Sequence, residues 1–260
     1  VKILRIGIVC IHVHPYPAMN DPMPEPTMTD GAAILPRPGG GSIAYRKTTG
    51  TSPGVIFLGG FMSNMTGTKA CALEANCRNE GRAFIRFDYS GHGQSSGLFT
   101  DGTIGKWADD AIAVLDQVSD GPQVLVGSSM GAWIMLLVAL ARPLRAAGLV
   151  GIASAPDFTE ELLWHRFDDN TRHRLQHDGV YQLGSEFDDE PYPITIKLIE
   201  DGRRHLLLER PIAIHCPVRL LHGMRDQDVP WTNAPRIAEK LLAEDVRVMI
   251  IKDGDHRLSR

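Results

Sequence analysis

The chain has 260 residues, a formal net charge of −4 and 43% apolar residues, values typical of a soluble protein with one α/β domain. Acidic and basic residues are intermixed without a basic stripe, so the charge gives no reason to expect nucleic acid as a partner. No apolar stretch reaches the roughly 18 residues that a membrane-spanning helix needs.

The N-terminal residues are dominated by proline. Five prolines between positions 15 and 26 are incompatible with regular structure, which predicts a disordered extension over residues 1–30. Lys2 and Arg5 precede a short apolar run, a faint resemblance to a signal peptide. His12 and His14 interrupt that run and no small-residue cleavage site follows, so export is the less favoured interpretation.

The cysteine spacing indicates the compartment. The chain has four cysteines, which form no CxxC pair and match neither a zinc site nor a dense disulfide framework. A reducing cytoplasm is therefore the expected location.

Beyond the Pro/Gly-rich segment 35–41, strand and helix patterns alternate. Residues 42–48, SIAYRKT, alternate like an exposed strand. Short aliphatic runs typical of strands buried on both faces follow at 54–60, 83–89, 123–127, 146–153, 217–223 and 246–252. Segments with helical spacing lie between them at 67–81, 105–121, 132–143 and 232–245. This alternation predicts a doubly wound, mostly parallel α/β sheet with right-handed crossovers.

Residues 157–210 break the rhythm of the chain. The segment is rich in charge and histidine, looks helical at both ends and is too long for a plain connection. We interpret it as a cap inserted over one end of the sheet, which leaves 31–156 and 211–260 as the core; the alternative is a solvated decoration that does not touch substrate.

The segment LVGSSMGAW, residues 125–133, contains a candidate nucleophile. Gly127, Ser129 and Gly131 fit G-x-S-x-G, with a strand pattern before them and a helix pattern after them, as a nucleophile elbow requires. Ser128 has Val126 and Met130 at the corresponding positions. A sharp strand-to-helix turn leaves room only for glycine on either side, so Ser129 is the predicted nucleophile.

A serine nucleophile needs a histidine base and a carboxylate that orients it. In this fold the order along the chain is Ser, acid, His, and His256 follows the last predicted strand. Of the other histidines, those between 165 and 205 look like cap surface, and we expect His222 to pack within its turn. Asp226 is the preferred acid because it leaves the strand directly; Asp228 is the alternative, although it precedes Val-Pro and is placed to cap the next helix.

Two further glycine-rich segments bear on the site. VIFLGGFMSN, residues 55–64, is the predicted oxyanion loop. We expect the backbone N–H groups of Phe61 and Met130 to bind the oxyanion. DYSGHGQSSG, residues 88–97, resembles a phosphate loop only weakly, because no Walker lysine or dinucleotide pattern accompanies it. A tight turn after a sheet strand explains its glycines better.

With these residues placed, the chain resembles the α/β-hydrolase superfamily of serine esterases. Within it the chain is similar to the group formed by the mitochondrial acyl-glucuronide esterase and palmitoyl-protein thioesterase and its bacterial relatives. The segments that carry the resemblance span roughly residues 42–256: SPGVIFLGGFMSNMTGTKA, IRFDYSGHGQSSG, GKW, DGPQVLVGSSMGAWIMLL, CPVRLLHGMRDQDVPW and DHR.

The resemblance implies a triad of Ser129, Asp226 and His256 that hydrolyses a small acyl ester or thioester through an acyl-enzyme. It implies no metal and no cofactor. In that family a final helix follows the histidine and packs on the sheet, whereas only four residues follow His256 here, so we expect the final helix to be missing. Leu162 and Trp164 are candidates for an acyl pocket, or alternatively for anchoring the cap. The rival functions are an amidase or peptidase with the same triad and a hydrolase-fold binding protein without activity.

Overall fold

The computed structural model describes residues 4–6, 9–11, 31–184 and 191–259. Within the predicted N-terminal extension it describes two strands, β1 (Leu4–Ile6) and β2 (Val9–Ile11), which pair antiparallel. The prediction of disorder for the rest of residues 1–30 lies outside the described residues.

Between residues 33 and 251, three strands precede the first helix, and strands and helices then mostly alternate. The strands are β3 (Ala33–Pro36), β4 (Ser42–Thr48), β5 (Thr51–Leu58), β6 (Arg82–Phe87), β7 (Gln123–Ser128), β8 (Ala146–Ile152), β9 (Val180–Leu183), β10 (Tyr192–Thr195), β11 (Val218–Gly223) and β12 (Val246–Ile251). The helices are α1 (Thr68–Asn79), α2 (Ile104–Val118), α3 (Met130–Ala141), α4 (Asp169–Asp178), α5 (Ile196–Gly202) and α6 (Asn233–Lys240).

In the described part of the chain, the central sheet has eight strands in the order β12-β11-β8-β7-β5-β6-β4-β3. The six strands from β12 to β6 in this order run parallel. Strand β4 runs antiparallel to β6, and β3 antiparallel to β4. The predicted doubly wound, mostly parallel sheet is therefore confirmed. Its parallel strands bring their carboxyl ends to one edge, where a site in an open α/β sheet is expected.

The aliphatic runs form strands because both of their faces are buried. Along β7, Leu125 belongs to the larger core cluster with α2 and α3, whereas Val124 and Val126 belong to a second cluster with α1. Each helix layer thus covers one face of the sheet, and alternate strand residues fill the two layers.

The start of the sheet differs from the prediction. Strand β4 is not exposed: it lies between β3 and β6, and Ile43 and Ala44 are fully buried. Strand β3 was not predicted, because its four residues are mostly exposed and only pairing with β4 makes them extended.

The long segment between β8 and β11 contains several short elements. Its residues 157–210, predicted as a cap, are called the insertion below. A π-helical turn (Thr159–Leu163) and a 3-10 turn (Trp164–Arg166) precede α4, a β9–β10 hairpin follows, and α5 continues into a 3-10 turn (Arg203–His205). Buried residues of the insertion form a small apolar cluster against which Phe61 of the core packs. The insertion therefore lies against the loop after β5. None of the helices in the described ranges combines the length and hydrophobicity needed to cross a bilayer.

Candidate active site

Ser129 occupies a strained turn between β7 and α3. Its φ and ψ are 55° and −119°, a region that residues with a side chain rarely adopt. A Cβ on Gly127 would lie 2.4 Å from the Gly131 carbonyl oxygen, and a Cβ on Gly131 would lie 2.2 Å from the Leu58 carbonyl oxygen. The turn therefore needs glycine on both sides of Ser129, which is the steric argument that selected Ser129 over Ser128.

The structure brings Ser129, Asp226 and His256 together from the carboxyl ends of three strands. They follow β7, β11 and β12 respectively. His256 Nε2 lies 3.2 Å from Ser129 Oγ, and His256 Nδ1 lies 2.8 Å from Asp226 Oδ2. The side chain of Asp226 is fully buried, and that of His256 is 20% exposed. Ser129 and His256 are 127 residues apart in sequence, so the fold, not local sequence, creates this contact.

The carboxylate of Asp226 is saturated with hydrogen bonds. Oδ1 accepts from the backbone N–H groups of Asp228 and Val229, while Oδ2 also lies 3.0 Å from His222 Nε2. Burial acts to raise the pKa of Asp226, but the hydrogen bonds from His222 and His256 outweigh burial and hold that pKa well below its usual range. Asp226 is therefore an anion across the neutral pH range and is able to stabilise a protonated His256.

Two of the sequence-based assignments around the acid are corrected. Asp228 does not cap the next helix, because α6 begins at Asn233 with Thr232 at its N-cap; instead its Oδ2 lies 4.0 Å from His256 Nδ1. His222 does more than pack in a turn, since it is fully buried on β11 and contacts the carboxylate of Asp226. The sequence signal for this contact was a histidine near a strand end, four positions before the acid.

The predicted oxyanion loop lies beside Ser129, the predicted nucleophile. A Cβ on Gly60 would lie 3.5 Å from the Ser129 Cβ, which places the backbone next to Phe61 near the serine. Met130 is the first residue of α3, where backbone N–H groups have no partner within the helix. Both N–H groups belong to segments that border Ser129, as an oxyanion hole requires.

Apolar side chains surround Phe61 in the same region. The rings of Phe99, Trp107, Phe158 and Tyr192 lie 4.9–6.0 Å from the Phe61 ring, centroid to centroid. Tyr192 comes from β10, so core and insertion meet at this point.

The two candidates for the acyl pocket have different surroundings. Leu162 is half-buried and packs against the main core. Trp164 lies in the apolar cluster of the insertion, with the guanidinium groups of Arg203 and Arg172 at 4.7 and 5.6 Å from its ring. These contacts favour the anchoring alternative for Trp164.

Among the described residues, one group of side chains is close enough to hold a metal ion. Asp226, Asp228 and His256 each offer a ligand atom within 4.8 Å of the others. However, His256 Nδ1 and Asp226 Oδ2 already contact each other at 2.8 Å, and a cation would have to replace that contact. The arrangement therefore fits proton transfer between serine and histidine better than metal binding.

Comparison with known proteins identifies related chains. Residues 53–196 match the alpha/beta hydrolase fold family. The mouse palmitoyl-protein thioesterase ABHD10, mitochondrial, is 44% identical over 84% of this chain and 73% of its own length. The structure of mouse alpha/beta hydrolase domain-containing protein 10 superimposes with a TM-score of 0.82 at 42% identity, over 89% of this chain and 92% of that one. A putative hydrolase from Agrobacterium vitis S4 gives 0.84 at 41% identity, over 88% and 92% of the two chains.

The expected cytoplasmic location is wrong. The mouse, bovine and human relatives are named mitochondrial, which points to mitochondria rather than to the cytoplasm. The cysteine pattern misled because unpaired cysteines argue only against an oxidising compartment; they do not distinguish one reducing compartment from another.

Proposed function

The chain belongs to the alpha/beta hydrolase fold family and is a carboxylic ester or thioester hydrolase, and on that premise we propose that Ser129, His256 and Asp226 are its catalytic triad. The observation that carries the proposal is the continuous chain of contacts from Ser129 Oγ through both ring nitrogens of His256 to Asp226 Oδ2, at 3.2 and 2.8 Å. Such a chain converts a weakly nucleophilic hydroxyl into one whose proton has an acceptor in place.

In the first half of the reaction, Ser129 Oγ attacks the acyl carbonyl carbon while His256 Nε2 takes the hydroxyl proton. The carbonyl oxygen becomes an oxyanion, which the backbone N–H groups of Phe61 and Met130 bind. Asp226 stabilises the imidazolium through Nδ1. Collapse of the tetrahedral intermediate breaks the bond to the alcohol or thiol, which leaves with the proton from His256.

In the second half, water attacks the acyl-serine ester. His256 takes a proton from this water, a second tetrahedral intermediate forms in the same oxyanion site, and Ser129 Oγ leaves with the proton. The carboxylic acid is released and the enzyme returns to its starting state. No redox change occurs, and the triad supplies every proton transfer.

We propose long-chain acyl thioesters carried on protein as the substrate class. Relatives at 42–44% identity are named palmitoyl-protein thioesterases. The aromatic surface around Phe61, next to the proposed oxyanion site, offers apolar contact for an acyl chain. Leu162, at the junction of core and insertion, is part of this proposed acyl site, with Trp164 anchoring the insertion beside it.

The test compares wild-type protein, Ser129→Ala and Ser128→Ala on acyl-CoA thioesters of increasing chain length. We expect Ser129→Ala to lower kcat about 10⁵- to 10⁶-fold, because no other group takes over the attack. Ser128→Ala, a matched change one residue away, keeps turnover. For the wild-type protein, kcat/KM rises about fourfold for each CH₂ that becomes buried, which corresponds to about 0.8 kcal/mol per methylene.

A fluorophosphonate probe separates loss of chemistry from loss of fold. It labels the wild-type protein and Ser128→Ala, and thermal unfolding shows Ser129→Ala to be folded. Unchanged turnover by Ser129→Ala would reject the triad. A flat dependence on chain length would reject the long-chain acyl substrate while leaving the triad intact.

A further inference from the structure

Strand β11 carries a second histidine into the acid side of the site. His222 is the fifth of the six residues of β11, and Asp226 lies four residues later, in the turn that leaves the strand. The side chains of both residues are fully buried. A buried polar ring is costly unless its hydrogen-bonding atoms find partners, so the partners of this ring indicate what it does.

The contacts of His222 decide where its proton lies. Nε2 is 3.0 Å from Asp226 Oδ2 and 3.1 Å from the carbonyl oxygen of Val229. Both oxygens are acceptors, so Nε2 carries the hydrogen and donates to them. Nδ1 is buried and has no hydrogen-bond partner among the described residues. A proton on Nδ1 would be an unsatisfied buried donor, so the contacts favour the tautomer with its hydrogen on Nε2.

The ring therefore holds the acid-bearing turn at two points. One point is the side chain of Asp226, and the other is the backbone at Val229, whose own N–H donates to Asp226 Oδ1 at 2.8 Å. Oδ2 is shared by His222 and His256, which approach it at 3.0 and 2.8 Å. With all of these donors in place, rotation of the carboxylate away from His256 would leave buried groups unpaired.

We propose that His222 is a positioning residue for the hydrolytic reaction: its Nε2–H locks the Asp226 carboxylate in the orientation that His256 requires. The proposal rests on the proposed triad. His222 acts through Asp226, whose Oδ2 contacts both His222 and His256. Through this hydrogen bond it keeps Asp226 Oδ2 beside Nδ1 of His256, where the imidazolium forms during the reaction.

The test substitutes His222 in two ways. In H222Q the amide Nε2 offers a donor close to the position of the imidazole Nε2, whereas H222L removes the donor. We expect H222L to lower kcat about 10- to 100-fold, the effect of losing a hydrogen bond to a charged group, with KM within about twofold. H222Q stays within about threefold of the wild-type kcat.

The pH profile distinguishes positioning from simple packing. The acid limb of kcat/KM reports protonation of the base in the free enzyme. In H222L the Asp226 carboxylate is no longer held in the orientation that His256 requires and stabilises protonated His256 less, so the limb moves to lower pH. The matched control is L220A, a buried side chain two positions earlier on the same face of β11. L220A lowers stability but leaves the acid limb in place.

A double-mutant cycle tests whether His222 acts through Asp226. In a D226N background the effect of H222L on kcat shrinks to less than about threefold, because the carboxylate it would orient is gone. If H222L does not fold, H222N takes its place, since the shorter amide puts its donor near the Nδ1 position instead.

The outcomes separate this inference from the proposed function. Full additivity in the cycle, an unmoved or raised acid limb, or wild-type kcat in H222L would each overturn the positioning role. In those cases Ser129 still labels with the fluorophosphonate and Ser129→Ala is still inactive. Activity in Ser129→Ala would instead overturn the triad, and the positioning role with it.

Discussion

At the scale of single residues, the turn that carries the proposed nucleophile depends on two glycines, Gly127 and Gly131. Gly131 sits where a Cβ would come within 2.2 Å of the Leu58 carbonyl oxygen and 2.4 Å of the Gly59 carbonyl oxygen. Both contacts are to backbone, which cannot move aside as the end of a flexible side chain can. Those backbone atoms lead directly into the proposed oxyanion loop, so the same crowding that sets the turn also places Phe61.

Gly131→Ala tests this coupling. We expect it to lower the free energy of unfolding by more than about 2 kcal/mol, because overpacking against backbone forces a shift of β5 or α3. The shift displaces the Phe61 N–H, so kcat falls even in the molecules that remain folded. Urea denaturation and kcat on a p-nitrophenyl ester measure the two effects.

Gly184→Ala is the matched control, since a Cβ there meets no atom of the described residues within 4 Å. Its stability and kcat remain close to those of the wild-type protein. Wild-type kcat in Gly131→Ala would show that the oxyanion loop is positioned independently of the elbow.

Residue patterns in the sequence predicted the parts of the site that follow from local sterics. The choice of Ser129 needed only the glycines two positions away on each side, because the turn geometry is a property of five consecutive residues. The role of His222 was not predicted, since histidine on a buried strand is compatible with many partners. Only the fold shows that its Nε2 points toward Asp226.

At the scale of elements, the residues with strained backbone lie in the loops at the carboxyl edge of the sheet. Among the described residues, the non-glycine residues with positive φ are Met62, Ser129, Ala153, Asp157 and Leu258. They follow β5, β7, β8, β8 and β12 respectively. Strained backbone persists only where surrounding contacts hold it, and these loops contain the proposed oxyanion site, the nucleophile and the base.

Asp157, one of these strained residues, connects the start of the insertion to its end. Its carboxylate accepts hydrogen bonds from the backbone N–H groups of Leu207 and Leu208, so the start of the insertion holds its end. Burial raises the pKa of Asp157 to about 6, although both backbone hydrogen bonds oppose the shift; nearby Glu161 also raises the pKa and Arg236 lowers it.

The raised pKa predicts a pH-dependent stability. Between the unfolded value of 3.8 and the folded value of about 6, the folded protein keeps a proton that the unfolded chain has released. The stabilising contribution of this group is therefore complete below about pH 4 and is lost as the pH rises through about 6. Asparagine does not titrate, so we expect Asp157→Asn to lack this pH-dependent contribution to the free energy of unfolding.

Urea denaturation of both proteins between pH 5 and 7.5 measures the effect. The free energy of unfolding of the wild-type protein falls relative to that of Asp157→Asn as the pH rises. Asp168→Asn is the control, because Asp168 is an exposed N-cap whose pKa is lowered by hydrogen bonds from Thr171. A pH-independent difference between wild type and Asp157→Asn would contradict a raised pKa at Asp157.

Within the insertion, secondary structure was predicted only in part from the sequence. Helical spacing indicated helices at its ends, but the β9–β10 hairpin was missed. Strand β9, Val180–Leu183, has alternating exposed and half-buried residues, and four residues of mixed polarity show too little periodicity to be recognised. Such strands become extended because a partner pairs with them, which is information from the tertiary structure.

At the scale of the whole molecule, strand order decides which loops meet. Strand β7 leads to the proposed nucleophile, and β5, on one side of β7, leads to the proposed oxyanion loop. Strands β11 and β12 lie beyond β8 on the other side. The parallel arrangement was predictable from the alternation of strands and helices. The contacts that hold these loops in place relative to one another could not be predicted from the sequence, because they join side chains to backbone that is distant along the chain.

One of these contacts joins α1 to the loop that carries the proposed base, His256. Lys69 Nζ donates to the carbonyl oxygen of Arg257 at 2.6 Å, across 188 residues of sequence. Burial lowers the pKa of Lys69, and the charge of Arg257 lowers it further, while Asp255 partly offsets both. The hydrogen bond to the Arg257 carbonyl, one residue after His256, thus holds the Lys69 ammonium group in a partly desolvated position.

Lys69→Met tests whether this bond holds the base in place. Methionine keeps most of the apolar stem but has no donor, so the Arg257 carbonyl loses its partner and the loop gains freedom. We expect kcat and the rate of fluorophosphonate labelling at Ser129 to fall about tenfold, since both need His256 within reach of the serine. Lys252→Met, which removes an exposed lysine four positions before His256, leaves both rates near the wild-type values. Wild-type labelling by Lys69→Met would mean that the contacts of His256 with Asp226 and Ser129 hold the ring by themselves, and that α1 contributes only to stability.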